Sequence, residues 1–474
     1  MQSSGVIGLF FWGFLLAYGA LMLALSPRAA TLGGFFSGED SAGRSAAPWL
    51  LTSSIFISWI FAKSVTNAAN LGASYGLVGG LAYAMYWLSI PLTGFVIYRL
   101  RRRYAASGLV SFLSSHYGRG AALAFSAAIL IRLFNEVWSN TAVVGGYYGE
   151  AGSASFIGAA LLFTAVTLAY SLRGGLRSSI LTDAAQAAIF IVALVWVLGL
   201  VLPQHTPTEL LSTSHWALNA GVDLLLVAGL QALSYGFHDP VLTDRGFISE
   251  ENSMRRSFLI AGVLGFFAIL AFSLIGVHAQ LSGIAASDNV PAALARSMGI
   301  GAMLVMTVVM VSAAGSTLDS TFSSLAKLAG RELPLLAGRD LGQQAIGVGM
   351  AVMVLFALLG NLPMITGTDI LKATTLSGTM VIGLAPVFVL HGMSTPTRLG
   401  FHLSFWTGLG LGIALTLGWI PPSWAIGEGK YALLLGTNLY GLGLCVLGYL
   451  LPGWLLPGKL QSAQSSTALE AHNQ

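Results

Sequence analysis

The stretch "LLTSSIFISWIFAKSVTNAANLGASYG" (residues 50–76) changes character in its middle. Its polar residues as far as Trp59 are only serines and a threonine, and it becomes more strongly polar from Lys63 onward, with Ser64 and Asn67 close behind. Backbone in a membrane leaves the helical pattern only where it lines a cavity or is buried in protein. A mid-span charge is costly unless it is paired or hydrated, so Lys63 is a candidate functional residue, with outward snorkelling as the alternative.

A second stretch, "DLLLVAGLQALSYGFHDPVLTDRGF" (residues 223–247), is interrupted in the same way. Gln231, Tyr235 and Asp239 break an apolar run, and Pro240 follows them. Polar residues near the end of a helix can also be merely interfacial, and that alternative stays open here. Two interrupted segments at matching places in two halves of a chain are typical of inverted-repeat membrane transporters.

The composition of the whole chain supports a membrane protein. Only 8% of the 474 residues are charged and the mean hydropathy is +0.78, whereas about 25% of residues are charged in soluble domains. Apolar runs of about 20 residues recur, each long enough to cross a bilayer core of about 30 Å. We therefore expect an all-α polytopic membrane protein with the lipid bilayer as a partner. The pI near 9.2 does not indicate nucleic acid, because the basic residues lie between the apolar runs.

We predict thirteen transmembrane spans. They run roughly over 4–25, 47–70, 76–98, 121–146, 155–171, 178–202, 220–243, 257–279, 299–325, 342–360, 364–391, 399–419 and 431–452.

The distribution of Lys and Arg predicts the orientation of these spans. Of the 22 such residues, two lie inside spans, Lys63 and Arg132, and only Arg296, Lys372 and Lys430 lie on the side that we assign as extracytoplasmic. All the others lie in predicted cytoplasmic segments, as the positive-inside rule requires. We expect a multi-pass protein of the cell membrane with an extracytoplasmic N-terminus and a cytoplasmic C-terminus.

The predicted spans divide the chain into five parts. These are a first helix and loop (1–46), a first repeat (47–202), a second repeat (220–391), two peripheral helices (392–457) and a tail without predicted structure (458–474).

The stretch "SAAGSTLDSTFSS" (residues 312–324) places hydroxyl and carboxylate side chains inside an apolar span. A small hard cation needs oxygen ligands to replace its water shell. Ser316 and Thr317 offer adjacent hydroxyls, and the carbonyl of Ala313 lies one turn earlier. The alternative is that these hydroxyls only bond back to the carbonyl four residues before them.

Four segments resemble the sodium:solute symporter family. They are "GSTLDSTFSSLAKLAGREL" (315–333), "GGLRSSILTDAAQ" (174–186), "SAGRSAAPWLLTSSIFISWI" (41–60) and "GFHDPVLTDRGF" (236–247). The resemblance implies a LeuT-type fold with a 5+5 inverted repeat and two broken helices. The pattern of residues 57–84 is most similar to the urea/polyamine branch of the family.

The resemblance also implies a sodium site between spans 2 and 9. Its ligands would be the hydroxyls of Ser316 and Thr317 and the carbonyls of Ala313, Ile57 and Ile60. The register of the two span-2 ligands depends on the alignment and can shift by one turn.

Some members of the family have a further cation site, whose positions match Asp183, Asp319 and Ser320 here. The alternative for Asp183 is an ion pair with a cytoplasmic arginine such as Arg177.

Solute contacts in the family fall on the broken helices, at positions that match Ser64, Gln231 and Tyr235. Lys63 departs from the family pattern, would oppose a cationic polyamine and suits a carboxylate or a neutral polar solute. Residues 82–83 are Ala-Tyr where sugar carriers place an acid, which argues against a sugar. We expect a small solute of the urea, amino acid or carboxylate class.

Arg132 and Glu136 lie four residues apart on one face of span 4. Such pairs commonly neutralise each other, so we expect a structural role, with a part in the solute or gate path as the alternative.

The expected function is sodium-coupled uptake of a small polar solute, with Na+ as the co-transported ion. A proton-coupled or passive carrier is the alternative, in which Asp183 and Asp319 carry protons. A membrane enzyme is not indicated, since the sequence contains no H-E-x-x-H metal motif. The sequence gives no indication of the oligomeric state.

Overall fold

The structure is a computed structural model that describes residues 2–284, 289–365 and 377–455. The described residues form helices and connecting turns and contain no strand, which confirms the predicted all-α class. In chain order the α-helices are α1 (Gln2–Leu25), α2 (Leu32–Ser37), α3 (Pro48–Ser58), α4 (Ala62–Ala84), α5 (Ser89–Tyr104), α6 (Leu109–Tyr117), α7 (Arg119–Gly145), α8 (Ala154–Val201), α9 (Pro207–Ser212), α10 (Val222–Gln231), α11 (Pro240–Thr243), α12 (Glu251–Leu281), α13 (Val290–Ser297), α14 (Ile300–Lys327), α15 (Leu333–Leu336), α16 (Gln344–Leu359), α17 (Leu384–Val389), α18 (Arg398–Thr416) and α19 (Ala432–Leu455).

Tighter and wider turns join several of these helices. The 3-10 turns are Met85–Leu88, Leu202–Gln204, Leu218–Ala220, Asp244–Phe247, Leu362–Ile365 and Pro422–Trp424, and Leu328–Glu332 is a π-helical turn.

Eight helical stretches of the described residues are long and apolar enough to cross a membrane, and α3, α10 and α16 are shorter apolar helices. The exact number of thirteen spans stays a prediction. Part of predicted span 11 (366–376) and the predicted tail (458–474) lie outside the described residues.

Two glycines bend helices that the sequence predicts as separate spans. Gly76 in α4 has a φ of 61° and Gly175 in α8 has a φ of 51°, a region that residues with a Cβ avoid. A Cβ at Gly175 would also lie 2.4 Å from the carbonyl oxygen of Phe35. The bends therefore require glycine, and they lie where predicted spans 2 and 3, and 5 and 6, meet.

Both predicted helix breaks are present. The first separates α3 from α4, where Phe61 is extended and its carbonyl accepts the N–H groups of Ser64 and Val65. The second separates α10 from α11, where the side chain of Asp239 caps the N–H of Val241 at 3.1 Å. Proline at the first position of α11 has no N–H to satisfy.

Close helix packing holds the broken helices in place. The helix α4 packs along α12 and α14 packs along α8. A Cβ at Gly276 of α12 would lie 1.8 Å from the carbonyl oxygen of Ala69, and a Cβ at Gly72 would lie 2.1 Å from that of Ser273. Small residues at such contacts let the backbones of membrane helices approach closely.

Candidate functional site

The hydroxyl pair on α14 lies against the break between α3 and α4. The Thr317 hydroxyl lies 3.2 Å from two carbonyl oxygens, those of Ser58 and Ala313. The Ser316 hydroxyl donates to the carboxylate of Asp183, and all five residues are buried. Oxygen atoms from the broken helix and from α14 therefore meet in one place.

The predicted carbonyl ligands of span 2 lie on either side of this contact. The carbonyl of Ile57 accepts the N–H of Ile60 at 3.0 Å, while Ser58 between them supplies the carbonyl that meets Thr317. Carbonyls in the last turn of a helix lack their usual i+4 partners, which lets the Ser58 carbonyl meet a hydroxyl of another helix.

The residues predicted for a further cation site also come together. The Ser179 hydroxyl donates to Asp319 at 2.7 Å and lies 2.9 Å from the Ser320 hydroxyl and 3.4 Å from Asp183. A guanidinium occupies the same cluster, because Arg245 Nη2 lies 3.1 Å from Asp183 Oδ2 and 2.7 Å from Ser320 Oγ.

The arginine that pairs with Asp183 is Arg245, and not Arg177, which donates instead to the carbonyl of Gly38 at 3.3 Å. Arg245 lies in a segment predicted to be cytoplasmic, and its side chain is fully buried. The short helix α11 after the second break turns Arg245 inward, where it donates to the carbonyl of Val241. Hydropathy gave no signal for this fold-back.

Serines of α3 complete the surroundings of Asp183, and the sequence analysis missed them. Ser54 Oγ lies 2.5 Å and Ser58 Oγ lies 3.1 Å from Asp183 Oδ2. On α8 the Thr182 hydroxyl donates to Asp319 at 2.9 Å. The four-residue spacing of Ser54 and Ser58, which places both on one helix face just before the break, was the available signal.

Four buried charges form a chain beside the first break. Lys63 Nζ lies 2.6 Å from Glu136 Oε1, Arg132 pairs with the same carboxylate, and Arg132 Nη2 lies 3.0 Å from Asp239 Oδ2. The indole N–H of Trp59 donates to Asp239 at 2.9 Å. Lys63 is 1% exposed, so it does not snorkel to the surface. The Arg132–Glu136 pair is thus part of a network that joins both breaks to α7.

Three of the four predicted solute contacts line one cavity. Lys63, Ser64 and Tyr235 face it, and its volume of about 10 Å³ holds no more than about one water molecule. Gln231 does not line this cavity. Its amide oxygen accepts the hydroxyl of Tyr86, which does line it, at 2.6 Å. The cavity is therefore closed around the predicted solute contacts.

The chain is similar to known sodium-dependent carriers. No family model matches it. It is 26% identical over 185 residues to sodium/glucose cotransporter 1 of Mus musculus and 28% identical over 191 residues to sodium/glucose cotransporter 4 of Homo sapiens. These alignments cover 36% and 38% of the chain, and the chain spans about a quarter (26%) of each relative's length.

Two solved structures match most of the chain. A Na+-coupled sialic acid symporter in its substrate-bound, outward-open state has a TM-score of 0.74 at 13% identity, over 95% of this chain and 98% of that one. The nucleobase-cation-symport-1 family transporter Mhp1, closed with bromovinylhydantoin bound, has a TM-score of 0.56 at 12% identity, over 89% and 95%.

Over most of its length the chain has the fold of these two transporters, which is of the LeuT type. The relatives and fold neighbours are transporters and not enzymes. In this LeuT-type fold the interrupted helices α3–α4 and α10–α11 lie at the start of the predicted repeats 47–202 and 220–391, whose bounds stay a prediction. The similarity to the urea/polyamine branch also stays a prediction, because the relatives named above are sodium/glucose cotransporters.

Proposed function

We propose that the chain is a sodium-coupled symporter that takes up a small polar organic solute by alternating access. The observation that carries this proposal is the contact of the Thr317 hydroxyl with the Ser58 carbonyl at the α3–α4 break, 3.2 Å long. It brings hydroxyl and carbonyl oxygens together at the break, and oxygen ligands of this kind suit a hard cation.

In this proposal the sodium ion binds between α3 and α14. The hydroxyls of Ser316 and Thr317, the carbonyl of Ala313 and the carbonyls of Ile57 and Ile60 are its ligands. The position of Ser58 suggests that a small rotation at the end of α3 selects which span-2 carbonyls face the ion.

The solute would bind beside the charged chain, at Lys63, Ser64, Tyr235 and Gln231. We infer a solute of the urea, amino acid or carboxylate class, because Lys63 disfavours a net cation. Sodium and solute would each bind better when the other is present, which is the coupling that drives uptake. The N-terminus would be extracytoplasmic and the C-terminus cytoplasmic.

The carboxylates that lie beside α8 favour the binding of a second monovalent cation. Asp183 and Asp319 are both buried, and the ion pair with Arg245 balances one of them. A further sodium at Asp183, Asp319 and Ser320 would compete with the guanidinium for the same oxygens. A proton on Asp319 needs no such displacement, so proton coupling is the second candidate.

The test of the sodium site is ion-dependent stability of the purified full chain. A ligand that binds only the native state raises its stability, by about 1.4 kcal/mol at about tenfold its dissociation constant. We expect a higher melting temperature in sodium chloride than in potassium chloride at matched ionic strength. The double variant Ser316→Ala/Thr317→Ala should lose this difference.

Thr321→Val on the same helix is the matched control. The Thr321 hydroxyl is buried and has no hydrogen-bond partner among the described residues, and valine keeps its shape. The control should respond to sodium like the wild type. An unchanged sodium response in the double variant would disprove the proposed ligands.

A further inference from the structure

Five aromatic side chains form a closed ring around the cavity beside Lys63. Going round the ring, the centroid distances are 6.0 Å from Trp59 to Trp87, 5.9 Å from Trp87 to Tyr83 and 5.7 Å from Tyr83 to Tyr86. Tyr86 lies 5.3 Å from Tyr235, which lies 6.1 Å from Trp59. All five side chains line the same cavity.

The geometry of the ring favours a compact head group over a planar one. The angles between neighbouring planes are 78°, 54°, 65°, 58° and 76°, so no two neighbours present parallel faces. A planar solute would need such a pair to stack between. A ring of tilted aromatic faces instead encloses a rounded group, as aromatic cages enclose quaternary ammonium ions.

The charges at the edge of the ring balance one another. Lys63 and Arg132 carry two positive charges, and Glu136 and Asp239 carry two negative ones, joined in one chain of ion pairs. Both cations lie over the ring of Phe61, at 5.1 Å and 5.3 Å from its centroid, and Arg132 also lies 5.4 Å from the centroid of Tyr235. A solute without net charge leaves this balance undisturbed, whereas a net cation or anion does not.

Lys63 is the group at the cavity that suits a carboxylate. Its ammonium has three N–H donors, of which two are directed to Glu136 Oε1 at 2.6 Å and Ser139 Oγ at 3.3 Å. The third N–H of the ammonium can therefore donate one charge-assisted hydrogen bond to a solute carboxylate.

We propose that the solute is a methylated-ammonium zwitterion of the betaine type. Its quaternary head lies inside the aromatic ring and its carboxylate binds Lys63, and the ring widens from its closed form to admit the head. This inference rests on the proposed symport function and names the solute class for the same site. A primary ammonium fits less well, because it loses hydrogen bonds to water that aromatic faces do not replace.

Binding of a graded series of probes to the purified full chain tests this assignment. Glycine, N-methylglycine, N,N-dimethylglycine and trimethylglycine share one carboxylate and differ only in methylation. With sodium present, we expect the thermal shift to grow along the series, with trimethylglycine binding about tenfold or more tightly than glycine. The uncharged-head isostere 3,3-dimethylbutanoate should bind at least about tenfold more weakly than trimethylglycine.

A matched pair of variants at Trp87 separates the aromatic face from simple packing. The indole nitrogen of Trp87 has no hydrogen-bond partner among the described residues, so substitution removes no hydrogen bond. Trp87→Phe keeps an aromatic face and should retain most of the affinity for trimethylglycine. Trp87→Leu removes that face and should weaken binding by about fivefold or more.

Several outcomes would overturn the assignment. They are equal binding along the methylation series, equal binding of the isostere, tighter binding of a planar amide such as uracil, and equal effects of the two Trp87 variants. The sodium-dependent shift without solute is measured in the same samples and tests the symport proposal separately. Methylation-dependent binding without any sodium effect would support the solute class and reject sodium coupling.

Discussion

At the scale of single residues, the fully buried Arg245 determines the charge of the ion region. It pairs with Asp183 at 3.1 Å and donates to Ser320 at 2.7 Å. Asp319 lies in the same cluster and receives hydroxyl donors from Ser179 and Thr182. Two carboxylates and one guanidinium leave one negative charge, and an uncompensated buried charge is costly. One monovalent cation is therefore expected there, and a proton on Asp319 is the simplest one.

Asp319→Asn tests whether that cation is a proton. Asparagine resembles the protonated acid in shape, so we expect the variant to fold and to keep sodium-stimulated uptake in reconstituted vesicles. We expect uptake by the wild type to depend on pH if Asp319 takes up and releases a proton, and the variant, which cannot do so, should lose that dependence. Loss of the sodium response in Asp319→Asn would instead assign the residue to a second sodium site.

At the scale of helices, close packing against α12 and α8 holds α4 and α14 in place. The α4–α12 contact is the main support for the segment after the first break, and it depends on backbone approach at Gly72 and Gly276. Lys63 stands at the start of α4, so a shift of this helix moves the charged chain and the aromatic ring together.

Gly276→Ala should therefore destabilise the protein. The added Cβ would lie 1.8 Å from the Ala69 carbonyl oxygen, and α4 must move to relieve it, at a cost of about 1–3 kcal/mol. The measurement is the melting temperature of the purified variant. Gly347→Ala on α16 is the control, because a Cβ there meets nothing within 4 Å, and an equal effect of both variants would contradict the packing argument.

At the scale of the whole molecule, the described structure is closed around its candidate solute site. The cavity holds about 10 Å³, and an ion pair lies on the predicted cytoplasmic side of it. Lys327 Nζ at the end of α14 lies 2.5 Å from Asp244 Oδ1, and the Ser324 hydroxyl donates to Asp244 at 2.8 Å. Asp244 follows α11, so these contacts tie the segment after the second break to α14. We expect them to resist opening toward the cytoplasm.

Asp244→Asn should make that opening easier. Hydrogen–deuterium exchange reports local opening, and we expect exchange in residues 240–250 to rise about fivefold, the equivalent of about 1 kcal/mol. The exposed carboxylate of Asp340 provides the control, since Asp340→Asn should leave this segment unchanged. Unaltered exchange in Asp244→Asn would show that the pair does not close the cytoplasmic side.

Much of the fold follows from local patterns in the sequence. The all-α membrane class follows from apolar runs, and both breaks follow from polar residues and a proline inside such runs. The approach of Ser316 and Thr317 to the first break is consistent with the resemblance. These features depend on properties that each segment carries by itself, namely hydropathy, helix period and the lack of an N–H in proline.

Other features depend on which segments meet in space, and no local pattern encodes them. The sequence by itself determined a helical membrane protein with two interrupted helices and an oxygen-rich stretch on α14. Only the tertiary structure decided that Arg245 turns inward to Asp183, that Lys63 and Arg132 share Glu136, and that aromatic residues from three segments close into a ring. The physical reason is that charge pairing and aromatic packing act between residues far apart in the chain, through distances that only the packed helices define.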